Sequence, residues 1–386
     1  MTQKLYEIDS YCREFKAVVE SCESDGEYYY IVLDKTAFFP EGGGQAADQG
    51  TINSATVFDV QIKDDIIIHK TDVPFEIGTE VDCSLDWELR FSRMQSHAGE
   101  HVVCGIVHSL FGYDNVGFHM SEAVMTVDFS GPLSQEDLEK VEYEANLAIH
   151  RNTPIFATYP SKVELKDIHY RSKLDIQEGI RLVTIQDVDC CACCAPHPSS
   201  TGAIGVIKIL DSCPRKKGTR IEMVAGIHAY KDYVALHNST KAMMGMLSAA
   251  RDNVKDAVSK QIEFVAALKY ENQKMSKKLA FFELNPVMID DSAYAVTENS
   301  SYDDLIFCAN SLIEKGVGRC ILLSKTDDEN YIYVISSTKN DVREVVGKLN
   351  SALNGKGGGR DTHAQGRIVA DSIEKIKEVV EKILSE

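Results

Sequence analysis

The spacing of apolar and polar residues divides the chain into stretches of different character. Residues 1–90 are dense in aromatic and β-branched residues, as in the runs EYYYIVLDKTAFF and DDIIIHK. Such runs predict short strands. The run FPEGGGQAADQG interrupts them, and its glycines indicate a turn or loop. The pattern predicts a β-rich N-terminal domain over residues 1–90.

Residues 91–235 mix helical and strand-like patterns. Apolar residues recur at helical spacing through residues 91–112, and Gly112 is placed to end that helix. A second helix follows Ser134, a suitable N-cap with Asp137 three residues later. The runs VMTVDFSG, IRLVTIQDVD and GAIGVIKIL predict strands. Together these patterns indicate an α+β domain.

The remaining chain divides into a helical stretch and a small domain. Apolar residues from Leu247 to Leu279 keep helical spacing without an interior proline, and Pro286 follows. We therefore predict one long amphipathic helix over residues 236–284, in a linker of residues 236–285 that serves as a spacer, a dimer seam or both. Residues 286–386 alternate strands and helices, which predicts a small α/β domain.

Composition narrows the setting of the protein. No run of 18 apolar residues and no leader-like N-terminus is visible in the 386 residues, so we expect neither a membrane span nor secretion. The 11 cysteines are then expected as reduced thiols in the cytoplasm. The formal charge of −18 argues weakly against a nucleic-acid partner. However, residues 1–150 hold 9 Lys/Arg and 28 Asp/Glu. Any nucleic-acid binding is therefore expected mainly from residues 151–386.

Two histidine-containing motifs predict a metal site. His97 and His101 in QSHAGEH lie about one helical turn apart and leave the same face of the predicted helix. Cys193 and His197 have the same spacing in DCCACCAPHP. Three imidazoles and one thiolate form a ligand set that zinc accepts, so we expect one Zn²⁺ per chain.

Other interpretations remain open at this point. HAGEH also fits the H-x-x-E-H motif of a zinc protease, with Glu100 as general base. Cys190 and Cys193 form C-x-x-C, which is compatible with a redox pair or half of a zinc ribbon. The adjacent thiols Cys190, Cys191 and Cys194 compete with Cys193 as ligand, although the spacing to His197 favours Cys193.

Two glycine runs permit close backbone approach. GGGQ occupies residues 42–45. The run GKGGGR offers Lys356, Arg360 and glycine amides for a phosphate group, and its simpler interpretation is a tight turn.

The order of these motifs, TAFFPEGGGQAADQG, HAGEH, VGFHM…VDF, CCAPH and GRD…AQG, resembles the alanyl-tRNA editing proteins of the AlaX type in their long form. It also resembles the editing and C-terminal parts of alanyl-tRNA synthetase. The resemblance implies an α+β chain: an N-terminal β-barrel-like domain (1–90), a zinc-containing editing domain (91–235), the helical linker (236–285) and a C-terminal α/β domain of the DHH-associated type (286–386).

The resemblance also implies site residues. It assigns His97, His101, Cys193 and His197 to one zinc ion, Thr36 to the serine hydroxyl, and Gln45 to the edge of the pocket. The chain has Phe39 where the family has tyrosine, and Cys194, Ala195 and Pro196 inside the usual C-G-G-T-H motif. His119 and Asp128 are further candidates for a supporting role.

The activity implied by the resemblance is hydrolysis of the ester that joins serine or glycine to alanine tRNA. We expect editing in trans, because residue 1 lies close to the barrel-like part and leaves no room for an aminoacylation domain. Lys356 and Arg360 are expected to hold tRNA(Ala), and the 236–285 helix with the C-terminal domain could form a homodimer. The alternatives are a non-catalytic tRNA-binding protein with a structural zinc and, with less support, the zinc protease.

Overall fold

A computed structural model describes residues 2–121, 124–172, 179–327, 329–338 and 341–386. The chain divides into two compact units, Met1–Ala242 and Met243–Glu386, and each is considered by itself. The described residues form a mixed α+β structure with several sheets.

The first unit opens with a closed six-stranded barrel, in the order β2-β3-β7-β6-β5-β8. The elements of this part are β1 (Gln3–Lys4), α1 (Leu5–Ile8), β2 (Glu14–Ser24), β3 (Tyr29–Leu33), β4 (Lys35–Thr36), β5 (Gly50–Ile52), β6 (Ala55–Lys63), β7 (Ile66–Thr71) and β8 (Glu80–Leu85). Alternate residues of β7 are buried, as expected of strands with one face in a core. The predicted β-barrel-like fold is therefore confirmed.

The rest of the first unit combines helices with two antiparallel sheets, β14-β15-β10-β9 and β11-β12-β13. Its elements are α2 (Trp87–Phe111), β9 (Asn115–Met120), β10 (Met125–Phe129), α3 (Gln135–Arg151), β11 (Ile155–Thr158), β12 (Leu182–Ile185), β13 (Asp189–Ala192), β14 (Ile207–Arg215), β15 (Gly218–Ala225) and α4 (Ile227–Leu247). Apolar residues of α2 and α3 share one core with both sheets. The α+β prediction for this part is confirmed.

The predicted caps of these helices are present, and one predicted strand begins late. Ser134 and Asp137 form a reciprocal capping box at the start of α3. Gly112 ends α2 with a left-handed φ of 71°. The run GAIGVIKIL predicts one continuous strand, but Thr201–Ile204 form a 3-10 turn before β14 begins. Gly205, with φ 91°, turns the chain between them.

A buried ion pair joins the barrel to α2. Arg90, near the start of α2, pairs with Asp48 from the barrel, and both side chains are almost fully buried. The guanidinium also donates to the carbonyl oxygens of Ala37, at 2.5 Å, and Ser10, at 3.3 Å. Buried charges are tolerated when they are paired and hydrogen-bonded in this way. This contact fixes α2 against the barrel residues that precede β5.

The long helix predicted over residues 236–284 is present, but as two helices and not as one. The structure has α4 to Leu247, a 3-10 turn at Arg251–Asn253, and α5 (Val254–Glu283). Ser248 has a left-handed φ of 49°, which ends α4 although the apolar spacing continues beyond it. The side chains of Ile262, Leu268 and Met275 on α5 are exposed. The homodimer through this helix remains a prediction.

The second unit is a six-stranded sheet with helices on both faces. After α5 it contains β16 (Val287–Ile289), β17 (Ser292–Glu298), α6 (Tyr302–Glu314), β18 (Arg319–Lys325), β19 (Asn330–Ser337), α7 (Arg343–Ala352), β20 (Lys356–Arg360), β21 (His363–Val369) and α8 (Ile373–Ser385). The strand order is β16-β17-β18-β19-β21-β20, with a parallel β17-β18 pair. One sheet face packs on α5 and α6 and the other on α7 and α8. The predicted small α/β domain is confirmed.

The GKGGGR run is an edge strand and not a loop. Lys356–Arg360 form β20, which pairs antiparallel with β21. None of the three glycines has a positive φ. A Cβ at Gly357 would instead lie 2.3 Å from the hydroxyl of Tyr333, and one at Gly359 would lie 2.1 Å from the carbonyl oxygen of His363. Close packing therefore requires glycine at Gly357 and Gly359 but not at Gly358, while Lys356 and Arg360 stay exposed.

Candidate metal centre

Helix α2 supplies the first two candidate ligands. The Asp86 carboxylate caps the helix by accepting from the Leu89 amide. His97 and His101 lie on the buried face and are only 3% and 2% exposed. Gly105, one turn further on, lets the helix approach the segment before β13, because a Cβ there would lie 2.4 Å from the Val188 carbonyl oxygen. This close approach brings β13 to the imidazoles.

The segment after β13 supplies the other two ligands. The guanidinium of Arg181 donates to the carbonyl oxygens of Cys193 and Ala195, each at 2.9 Å. The Ser10 hydroxyl donates to the His197 carbonyl oxygen at 2.8 Å. Three separate backbone carbonyls are therefore anchored, so the loop holds Cys193 and His197 in place.

The four predicted ligands meet in one cluster. One ligand atom from each of His97, His101, Cys193 and His197 can be chosen so that all four lie within 4.8 Å of one another. The Cys193 sulfur lies 3.3 Å from His197 Nε2 and 3.6 Å from His97 Nε2. Three imidazoles and one thiolate are ligands that Zn²⁺ accepts. The predicted candidate metal site is therefore assembled in the structure.

The outward nitrogens of two histidines have partners of their own. His97 Nδ1 lies 3.0 Å from the Gln45 side-chain oxygen, and His101 Nδ1 lies 3.1 Å from a carboxylate oxygen of Asp189. Arg171 binds the same carboxylate through two hydrogen bonds of 2.7 Å. Metal-binding histidines characteristically donate their second N–H in this way, which directs Nε2 toward the ion.

The electrostatics of the cluster favour a thiolate at Cys193 and a neutral imidazole at His197. Burial opposes a thiolate at Cys193, but the nearby His97 and His197 outweigh it and hold the pKa of Cys193 well below its usual value. Burial lowers the pKa of His197 to about 3, so this imidazole is neutral and free to bind a cation. Burial also opposes charge on His101, yet the Asp189 and Cys193 contacts raise its pKa well above the ordinary value.

Three of the four ligands border a cavity of about 1290 Å³ within the first unit. Gly43, Gly44, Glu100, Asn115 and Phe118 are on its wall with His97, His101 and Cys193. The two glycines have left-handed φ values of 62° and 84°. A Cβ on Gly44 would lie 2.7 Å from the Phe118 ring, so glycine is needed for the turn to pack here. Within the described ranges, neither glycine amide donates a hydrogen bond.

The other residues predicted for the site lie behind it. Gln45 is fully buried, and its side-chain nitrogen has no hydrogen-bond partner in the described part of the chain. Thr36 is also fully buried, and its hydroxyl contacts His69 Nε2 at 2.9 Å and the Phe38 amide at 3.1 Å. The roles predicted for Thr36 and Gln45 remain predictions.

The two supporting candidates lie elsewhere. Asp128 forms a bidentate pair with Arg220, at 2.6 Å for both hydrogen bonds, across β10 and β15. His119 is exposed on β9 and is not on the cavity wall. Sequence reasoning overlooked Asp189, Arg171 and Arg181. Only Asp189 carried a signal, because it directly precedes the cysteine run.

The rival interpretations of the motifs find less support in the geometry. The H-x-x-E-H protease motif requires a carboxylate as the third metal ligand. The set of four clustered residues contains no carboxylate. The Cys190 sulfur contacts the Thr184 hydroxyl at 3.5 Å, and Cys194 is exposed. A second set, His101, Asp189 and Cys191, overlaps the first, and its carboxylate is already paired with Arg171. All 11 cysteines lie in the described ranges as free thiols.

Comparison with known proteins shows which proteins the chain resembles. Family models match residues 7–89 (tRNA synthetases class II (A)), 180–222 (threonyl and alanyl tRNA synthetase second additional domain) and 292–386 (DHHA1 domain). The alanyl-tRNA editing protein AlaX-L of Pyrococcus horikoshii is 26% identical over 100% of this chain and 99% of its own. The alanyl-tRNA editing protein Aarsd1 of Rattus norvegicus is 28% identical over 94% and 93%. Along nearly its whole length, the chain is similar to alanyl-tRNA editing proteins.

The family resemblance extends to a larger enzyme. The alanine–tRNA ligase of Ignicoccus hospitalis is 28% identical over 99% of this chain, which covers 43% of the ligase. Along this chain, the three matched models fall on the barrel, the segment carrying Cys193 and His197, and the second unit. No helix among the described residues is long and apolar enough to cross a membrane.

Proposed function

We propose that the protein hydrolyses the ester bond between tRNA(Ala) and wrongly attached serine or glycine, in the cytoplasm and as an editing protein acting in trans. The observation that carries this proposal is the cluster of His97, His101, Cys193 and His197, three of which line the wall of a large cavity. Relatives named as editing proteins match nearly the whole of both chains. The editing activity that their names state is extended to this chain, and serine or glycine as the amino acid removed is our own proposal.

The proposed metal is Zn²⁺, one per chain, held by the four ligands. It would supply positive charge beside the ester. Four protein ligands fill a tetrahedral shell, so we assign orientation of the attacking water to polar groups of the protein.

The amides of Gly43 and Gly44 are suited to stabilise the negative oxygen that develops during ester hydrolysis. Both line the cavity, and neither has an acceptor among the described residues. Fixed backbone donors aimed at a developing oxyanion lower the barrier because they need no reorganisation during the reaction. The free side-chain N–H group of Gln45 is a further donor beside His97. We assign it to the ordering of water near the metal ligands.

We propose that the second unit binds the tRNA body. Lys356 and Arg360 are exposed at the two ends of edge strand β20. Neutralising tRNA phosphates with these two side chains would raise the effective concentration of the aminoacyl end at the cavity. The alternative without catalysis, a tRNA-binding protein with a structural zinc, rests on the altered residues Cys194, Ala195 and Pro196 between the two ligands.

The deciding assay measures release of labelled serine from seryl-tRNA(Ala), with alanyl-tRNA(Ala) for comparison and metal content determined in the same samples. His97→Ala and Cys193→Ala should lose the metal and the activity together. His119→Ala is the matched control, because this histidine is exposed and lies off the cavity wall. Tight tRNA binding by metal-loaded protein without any serine release would favour the non-catalytic alternative. Full activity in metal-free protein would exclude the proposed metal centre.

A further inference from the structure

The cavity at the metal centre also contains a buried carboxylate that the proposed mechanism leaves unused. Glu100 precedes the ligand His101 on α2, is 4% exposed and lies on the cavity wall. Its Oε2 atom lies 4.0 Å from His101 Nε2. A small chemical group bound to this carboxylate would therefore lie next to the metal ligands.

Neighbouring side chains fix the orientation of this carboxylate. The side-chain oxygen of Asn115 accepts from the Gly117 amide at 3.0 Å, so the NH₂ group of Asn115 faces Glu100 Oε1 and donates to it. The thiol of Cys104 donates to the same oxygen at 3.2 Å. Burial, the largest contribution, raises the pKa of Cys104 well above its usual value, so this donor is neutral. Oε1 is thus engaged and Oε2 is left for another partner.

Glu100 differs in its partners from the other acids on the cavity wall. Asp189 pairs with Arg171, Asp114 with His108, and Glu7 lies 4.0 Å from Lys4. In the described part of the chain, no lysine or arginine forms an ion pair with Glu100, and both donors to Oε1 are neutral. A buried carboxylate is costly without a compensating cation. When His101 is neutral and serves as a metal ligand, the compensating cation must be the metal itself or a group that enters the cavity.

An aminoacyl ester supplies such a cation. Its α-ammonium group is bonded to the carbon next to the ester carbonyl, so an ester beside the metal ligands carries this charge into the same part of the cavity. Resting on the proposed function, we propose that Glu100 binds the α-ammonium group of the aminoacyl-tRNA. Glu100 then selects esters with a free amino group, and esters with a blocked amino group, such as peptidyl-tRNA, are poor substrates.

The test compares two esters that differ only in this charge. One is seryl-tRNA(Ala), and the other is its α-hydroxy analogue, made by deamination with nitrous acid. For the wild-type protein we expect kcat/KM to be roughly 10- to 100-fold lower on the analogue, as for loss of a charge-assisted hydrogen bond. Glu100→Gln should lose a similar factor on seryl-tRNA(Ala), mainly through KM, and lose little on the analogue.

Two controls accompany the variant. The amide side chain introduced by Glu100→Gln can keep its oxygen toward Asn115 and Cys104, so metal content and thermal unfolding should stay at wild-type values. Glu88→Gln makes the same change at an exposed residue in the first turn of α2 and should hydrolyse both esters as the wild type does.

Three results would overturn the proposal. Equal wild-type hydrolysis of the two esters would show that no ammonium group is recognised, and this measurement needs no variant. An equal loss by Glu100→Gln on both esters would indicate a role in water activation or folding. Loss of the metal by Glu100→Gln would indicate a carboxylate that only balances the charge of the metal. If the wild type hydrolyses neither ester, the proposed function itself fails and this inference fails with it.

Discussion

Replacing Asp189 by asparagine should weaken the metal centre without removing any ligand. The carboxylate accepts from His101 Nδ1 at 3.1 Å and from Arg171 through two bonds of 2.7 Å. Burial alone would raise the pKa of Asp189, but these bonds outweigh it and hold the pKa below its usual value. Asparagine has one acceptor oxygen, so its NH₂ group must face one of these donors. Either His101 loses its orientation or Arg171 loses half of its pair.

The magnitude follows from these two losses. Removing the partner of a metal-binding histidine typically costs 10- to 100-fold in metal affinity, about 1.4–2.7 kcal/mol. Breaking a buried pair costs about 3–5 kcal/mol, and we expect the lower part of this range because the Arg171 side chain is 16% exposed. Competition with a chromophoric chelator measures the affinity. Urea unfolding of metal-free protein measures the stability.

The matched control is Asp128→Asn. Asp128 binds Arg220 with the same bidentate geometry, but between β10 and β15 and without contact to a candidate ligand. It should lose some stability and keep the metal affinity of the wild type. If Asp189→Asn and Asp128→Asn bind the metal equally well, the Asp189 contact does not orient His101 as argued.

Three further predictions concern other parts of the chain. Burial lowers the pKa of His69 to about 4 from the ordinary 6.5. Between these pH values His69 is protonated only in the unfolded state. The free energy of unfolding should therefore fall by up to about 3 kcal/mol as pH falls from 6.5 to 4. Urea unfolding at both pH values should show that the His69→Gln variant lacks this pH-dependent loss of stability. Equal pH dependence of the wild type and the variant would refute the prediction. Thr36→Val should lower hydrolysis of seryl-tRNA(Ala) much more than of glycyl-tRNA(Ala), because a hydroxyl-binding site discriminates strongly; equal losses would leave Thr36 a structural role. Lys356→Ala/Arg360→Ala should weaken tRNA binding and reduce its salt slope by about 2; an unchanged slope in anisotropy titrations would exclude contact with phosphates.

The separation of Asp128 and Asp189 illustrates what packing adds to the sequence. Both aspartates carry a bidentate arginine, and their partners are 92 and 18 residues away. No local pattern distinguishes the structural pair from the one that touches a metal ligand. Similarly, four cysteines lie between residues 190 and 194, and the position of α2 brings the sulfur of Cys193 to the imidazoles.

The sequence by itself determined the features that depend on near neighbours. Helical periodicity placed His97 and His101 on one face of α2, and Ser134 with Asp137 marked the start of α3, because hydrogen bonds three and four residues apart define a helix and its cap. The break after Leu247 was missed because apolar spacing does not record a backbone turn at Ser248.

Tertiary structure alone decided the features that join distant segments. Gln45 reaches His97 across 52 residues, and Asp189 reaches His101 across 88. The glycines of β20 looked like a phosphate loop, but close packing against Tyr333 explains Gly357, and close packing against the facing strand β21 explains Gly359. Such contacts arise when elements bury their apolar faces against each other. The orientation of each ligand in the candidate metal centre therefore depends on how the barrel, α2 and β13 pack, and the spacing of the motifs does not contain that information.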